Sequence, residues 1–254
     1  MKITIIILVA VLSVGCGAQP VKEPKPDYLK VTEAHIEETE RQSELGAAIY
    51  QKDRLAASAT DYLFEKGVLP NDTRIKGWVV DISDDAQKVY FMGAGESGIE
   101  SYHELTYLNN SWSHNESPET ETVHQSMFQA RQIASSHINI RCSERYNTVV
   151  LSDEEYWLVY LLASTTDPDV MVVGGHNFVK IDKSTFDVVS AKALSNSCLN
   201  IPKGDGGVPY TTHIVDDLPI AVHSFLSLLH KTPLYVGTRT GPWIVENGTI
   251  KSIK

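Results

Sequence analysis

The stretch from Gly77 to Leu108, GWVVDISDDAQKVYFMGAGESGIESYHELTYL, decides the fold class. Gly77 to Ile82, Lys88 to Met92 and Ile99 to Leu108 are rich in β-branched and aromatic residues, which suit a pleated, half-buried strand. Asp84-Asp85 and Gly93 to Gly98 punctuate them as turns. No helical pattern intervenes, and a parallel pair needs a long crossover, so neighbouring strands are expected to pair antiparallel. Gly93-Ala94-Gly95-Glu96-Ser97-Gly98 also matches the Gly-x-Gly-x-x-Gly spacing of dinucleotide sites. That chemistry needs a helix next, with its N-terminal amides facing the pyrophosphate. Ile99 to Leu105 reads as a strand instead, and the acid that would hold a ribose falls in the polar stretch His114 to Glu121. A hairpin turn with no nucleotide affinity is expected.

Upstream, Thr32 reads as an N-cap, and Glu33, Glu37, Glu38 and Glu40 put negative charge on the first turns of a helix. Leu45, Ala48, Ile49, Leu55, Ala56, Ala59, Tyr62 and Leu63 form its apolar stripe, from about 33 to 66, with Gly46 as a candidate break and a stop at Gly67 and Pro70. Downstream, Asn109 to Thr122 reads as a polar loop and Thr122 to Ser136 as a second helix. Tyr146 to Leu151, Tyr156 to Ala163, Val170 to Asp182 and Val188 to Leu194 read as strands, and Lys203 to Gly207 as an exposed loop. Asp216 or Asp217 is expected to cap a third helix, with Pro219 in its first turn and its end at Lys231. Leu234 to Arg239 and Trp243 to Ile253 close the chain as strands, with turns at Thr240-Gly241-Pro242 and Asn247-Gly248. The expected class is α+β: antiparallel sheets with a long N-terminal helix and two further helices, in one body spanning 32–254.

The N-terminus carries a separate signal. Lys2 precedes the apolar run Ile3 to Leu12, followed by Ser13-Val14-Gly15-Cys16. The run is too short to span a bilayer, which takes ~20 residues, but fits the apolar region of an export signal. A small residue before a cysteine here resembles the lipobox of bacterial lipoproteins, with Ser13 where leucine is commonest. The resemblance implies that residues 1–15 are a cleaved signal peptide. It also implies that Cys16 becomes the acylated N-terminus, carrying fatty acyl chains such as palmitate. Several chains give stable anchoring, at ~0.8 kcal/mol per buried CH₂. Gly17, where Asp favours inner-membrane retention in the enterobacterial pattern, points to the outer membrane, facing the periplasm. Pro20, Pro24 and Pro26 make residues 16–31 an extended tether of roughly 3 Å per residue.

A net charge of −10 argues against nucleic acid and against binding anionic lipid by charge. In an oxidising compartment, Cys142 and Cys198 are expected to form a disulfide. In the chain-entropy model a bridge of that span contributes roughly 4 kcal/mol. Neither cysteine has a second ligand at finger spacing, and none of the nine histidines, His213 and His223 beside Asp216-Asp217 included, forms a compact ligand set. No metal or cofactor is expected. There is no Gly-x-Ser-x-Gly elbow and no base for Ser195 or Ser197. Asp153, Glu154 and Glu155 read as a solvated turn, although two well-placed carboxylates are all a glycosidase needs.

Glu144, Arg145 and Asn147 stand beside Cys142, and His176 lies in Gly174-Gly175-His176-Asn177. A bridge to Cys198 would hold these residues in one rigid polar cluster, either a ligand site or an internal hydrogen-bond network. Segments Arg141 to Val150, Gly174 to Phe178, Ser195 to Leu199 and Leu226 to Thr238 resemble stretches of uncharacterised bacterial exported proteins, a resemblance that brings no activity and no functional residue. The expected function is an envelope lipoprotein acting on a protein partner, as an accessory subunit or an inhibitor or immunity-type protein. No catalytic residue is expected. The rival is an envelope hydrolase using acidic residues.

Overall fold

Thr32 opens the first helix as its sequence suggests. Its hydroxyl accepts from the His35 backbone N–H at 3.3 Å, and His35 Nδ1 accepts in return from Thr32 N–H at 3.3 Å, satisfying two otherwise orphaned donors. The computed structural model describes residues 27–83, 85–203 and 208–253. The expected signal peptide, Cys16, the tether as far as Pro26, Asp84 and the loop 204–207 lie outside the described residues.

Helix α1 (Glu33–Glu65) runs unbroken through Gly46. A Cβ at Gly46 would lie 2.4 Å from Ser224 Cβ, so this glycine marks a close helix crossing, not a break. The quoted stretch forms an antiparallel meander, β1 (Gly77–Ile82), β2 (Gln87–Gly95) and β3 (Gly98–Leu108), with Gly95 paired to Gly98 across a tight hairpin. No helix N-terminus follows the glycine motif. Asn109 to Thr122 is not all loop: β4 (Ser111–Asn115) adds to the meander. Asn109 and Asn110 take φ of 51° and 59°, the left-handed pair a two-residue hairpin turn requires and asparagine tolerates. Trp112, which pairs with Tyr107 in register, then packs onto the core.

Helix α2 (Thr122–Ser135) leads to a second antiparallel sheet, ordered β5 (Tyr146–Ser152), β6 (Tyr156–Ala163), β8 (Asn177–Asp182) and β9 (Val188–Ala193). The expected continuous strand from Val170 to Asp182 is split. β7 (Val170–Val172) pairs instead with β10 (Asn200–Pro202), and Gly175, at φ 84°, turns the chain between β7 and β8. A third sheet holds β11 (Tyr210–Thr212), β12 (Leu234–Thr238), β13 (Gly241–Glu246) and β14 (Thr249–Ser252). Within it, β11 and β12 run parallel, the one departure from antiparallel pairing among the described strands. Helix α3 (Ala221–His230) starts after Pro219 and is not capped by Asp216 or Asp217. Those carboxylates are taken elsewhere: Asp216 meets His213 and Lys192, and Asp217 pairs with Arg239. Gln42 Oε1 of α1 accepts from Ala221 N–H at 2.6 Å, and His223 Nδ1 from Ile220 N–H at 3.1 Å.

The apolar run of β6 is buried on both faces. Leu158, Tyr160 and Leu162 join a core with α3, β12, β13 and the middle of α1; Trp157, Val159 and Leu161 join another beneath α2. The second half of α1 covers the outer face of β1–β3 through Leu55, Ala56, Ala59 and Leu63. Each fully buried large side chain contributes ~1.5–3 kcal/mol, so the two-faced β6 is among the heaviest contributors to stability.

Candidate functional site

The bridge expected from the cysteine count is present: Cys142 and Cys198 are joined, with Cα atoms 5.3 Å apart. Gly175 packs so close to Cys142 that a Cβ there would lie 2.3 Å from the Cys142 Cβ. The polar residues beside the bridge are pulled in different directions. His176 is buried, its Nδ1 accepting from Ala163 N–H at 3.1 Å and its Nε2–H donating to Val172 O at 3.0 Å. Burial depresses its pKa to about 4, so the ring is neutral. Asn177 Oδ1 accepts from the N–H groups of Asn139 and Ile140, and its Nδ2 donates to Ile140 O and Gly175 O. Glu144 and Arg145 are exposed. Among the described residues it is the Arg145 backbone that is engaged, its N–H donating to Ser143 Oγ and its carbonyl accepting from Ser164 N–H and Oγ–H. The expected cluster is therefore divided: His176 is spent on holding backbone, and Glu144 and Arg145 face solvent.

Asn147 points elsewhere. At the start of β5, its Nδ2 donates to Asp53 Oδ1 of α1 at 3.0 Å, 94 positions away. The pair lies in a cleft of 310 Å³ between α1, the ends of β5 and β6, β7 and α3. Asp53 is only 6 % exposed, and burial raises its carboxyl pKa, opposed by the Asn147 bond and the Arg54 charge. The apolar lining comes from Leu162, Val172, Phe225, Leu226 and Leu229, and the rim from Arg54, Asp167, Lys203 and His230. Lys203 Nζ is held on Pro168 O at 2.6 Å, and Asp167 Oδ1 accepts from Asp169 N–H at 2.9 Å. His230 is neutral, its pKa lowered to about 4 by burial and by the Lys203 charge. His176 bonds to Ala163 and Val172, two residues of the cleft lining, so the buried network braces one wall of this cleft.

The sequence missed Asp53, yet a signal is present. Ile49, Asp53 and Ala56 follow one another at helical spacing, so a carboxylate occupies a position on the buried stripe. It also missed a chain of polar contacts on the meander. Asp72 Oδ2 meets His103 Nε2 at 3.0 Å, and His103 Nδ1 meets His114 Nε2 at 2.9 Å. Arg74, beside Asp72, holds that carboxyl well below the usual range. His213 and His223 stack edge to face at 4.8 Å, and His213 Nε2 bonds to Asp216 at 3.3 Å. Among the described residues, no group of His, Cys, Asp and Glu is arranged to hold a metal ion. Asp153, Glu154 and Glu155 lie on an exposed turn closed by Asp153 N–H to Tyr156 O.

Where residues 28 and 29, the end of the expected tether, meet the body, a different surface appears. Leu29 N–H donates to Arg239 O at 2.9 Å, pinning the chain beside β12. Around it Tyr28, Leu29, Tyr210 and Ile214 are 50, 50, 60 and 66 % exposed, and they share a shallow groove of 430 Å³ with Thr212, Thr238 and Arg239. β11 forms the edge of its sheet here. Compared with protein-family models, curated proteins and solved structures, the chain shows no match. Among the described residues, no helix is long and apolar enough to cross a membrane.

Proposed function

We propose that this chain is a bacterial lipoprotein, anchored through Cys16 to the envelope and sorted by Gly17 to the periplasmic side of the outer membrane, and that it works by binding a protein partner. The lipobox-like Ser13-Val14-Gly15-Cys16 supports the anchor, and the Pro-rich tether supports a body held within a few nanometres of the bilayer. The observation that carries the binding reading is the exposed apolar groove of Tyr28, Leu29, Tyr210 and Ile214. Scattered single apolar residues on a surface mean little, but a grouped set with two tyrosines is the composition of a docking site. The edge strand β11 beside it offers backbone groups to a partner segment. Accessory subunits of envelope machinery and inhibitors or immunity-type proteins both act through such a face. An envelope hydrolase is the rival reading, and it would draw on Asp53 and Asp167, the two carboxylates lining the cleft.

Two measurements test the reading separately. Labelling cells with a radiolabelled fatty acid should mark the wild type and not Cys16→Ser; equal labelling of both removes the anchor. A photo-crosslinking residue at position 214 should trap one discrete protein in living cells, while the same probe at position 154, on the exposed turn, should trap none. Equal trapping at both positions removes the binding face, whatever the anchor experiment gives.

A further inference from the structure

The Asp53 cleft is a separate site from the groove at the tether root. We propose that it binds a small zwitterion with an apolar side group: an α-amino acid or a dipeptide.

The inference rests on how charge is layered with depth. At the floor, the Asp53 carboxylate is buried, and among the described residues the one side chain hydrogen-bonded to it is a neutral amide, Asn147. A buried carboxylate ordinarily has a cation or several donors, because removing it from water is costly. Asp53 has one donor, and it lines an open cavity. At the mouth, Arg54, Lys203 and Asp167 are exposed, two positive charges against one negative, so the mouth is net positive. A ligand with a lone positive charge would meet a net positive mouth on entry, and one with a lone negative charge would meet Asp53 at the floor. A ligand carrying both charges, ammonium inward and carboxylate outward, satisfies each layer. Between them Leu162, Val172, Phe225, Leu226 and Leu229 provide apolar surface for a side group. The cleft, at 310 Å³, is at the small end of the range of ligand sites, which suits an amino acid better than an oligosaccharide. The wall it shares with His176 is locked by hydrogen bonds to Ala163 and Val172, so the cavity is preformed.

Calorimetry on the full mature chain tests this with L-leucine, L-phenylalanine and leucyl-leucine, against two half-ligands of leucine: 3-methylbutylamine, which lacks the carboxylate, and 4-methylpentanoate, which lacks the amine. A zwitterion is expected to bind at least roughly tenfold more tightly than either half. The free amino acids and the dipeptide are separate arms that tell the two sources apart. Asp53→Asn, which keeps the Asn147 bond in place, should weaken leucine at least roughly tenfold and leave 4-methylpentanoate no weaker. The pair Arg54→Ala with Lys203→Ala should weaken leucine and leave 3-methylbutylamine no weaker. Failure of all three zwitterions to bind at about 10 mM, or equal binding of either half-ligand to the wild type, overturns the proposal without any variant having to fold. Unchanged leucine affinity in folded Asp53→Asn overturns it as well.

Discussion

Asn177 and Asp53 are both buried polar side chains, yet they differ in one respect. Asn177 makes four hydrogen bonds, all to backbone, and uses the full capacity of its amide. Among the described residues the Asp53 side chain makes one, to Asn147, and its carboxyl pKa is pushed upward by burial. The difference separates two reasons for burying polarity. A fully satisfied group fixes where chains meet; a group left short of partners at a cavity is held ready for something outside the chain.

The largest test falls on the satisfied side. Asn177→Ala leaves the N–H groups of Asn139 and Ile140 and the carbonyl of Gly175 without this partner, and each such group costs ~1–3 kcal/mol. Urea unfolding should show a loss of about 4 kcal/mol; a loss below about 1 kcal/mol would mean that water replaces the amide and the network is not what holds this corner.

Acid is the next test. The His176 pKa lies at about 4 in the folded protein and 6.5 is its ordinary value, so between those limits the unfolded chain binds the extra proton. Stability is then unaffected above pH 6.5, falls as pH drops towards 4, and levels off below, with a total loss of about 3 kcal/mol from this residue. His223 and His230 are also depressed and add to the same trend. In His176→Gln the dependence of Tm on pH across this window should be shallower than in wild type. An identical slope would show that His176 is not a buried neutral ring.

Asp53→Asn is expected to act in the opposite direction. Its folded pKa is raised above the ordinary 3.8, so its favourable contribution is complete below that value and is lost as pH rises through the folded one. Removing the charge should stabilise the chain at pH 7 by about 1 kcal/mol, measured by urea unfolding, with the gain disappearing in acid. Destabilisation at neutral pH would put Asp53 with Asn177, as a structural group. The smallest effect belongs to the tether-root groove: Ile214→Ser, at a position 66 % exposed, should change stability by less than about 0.5 kcal/mol while abolishing the crosslinked partner.

Where a pattern is local, it was legible. The strands of Gly77 to Leu108 and the stripe of α1 follow from side-chain period and burial, and the Gly93 to Gly98 hairpin from the strand residues on both sides of it. The Cys142–Cys198 bridge followed from counting thiols in a chain expected to be exported. The candidate site was legible only in part. Asn147 was singled out for its neighbours in sequence, but its partner Asp53 stands 94 residues away, and the stripe position that betrays Asp53 has meaning only once something is known to pack there.

What the sequence alone determined is therefore the set of elements and their class: periodicity reports which face of each segment is apolar, and glycine, proline and asparagine report where the backbone can turn. Tertiary structure decided the rest. It split Val170 to Asp182 because β7 pairs with β10 and not with the sheet of β8, and the chain turns between them at Gly175, at φ 84°, where Cys142 packs against the backbone. It kept α1 whole at Gly46 because α3 crosses it, and it started α3 after Pro219 because a glutamine from α1 and His223 serve as its cap. In each case the deciding atom comes from a distant segment, and local sequence carries no record of what lies across the gap.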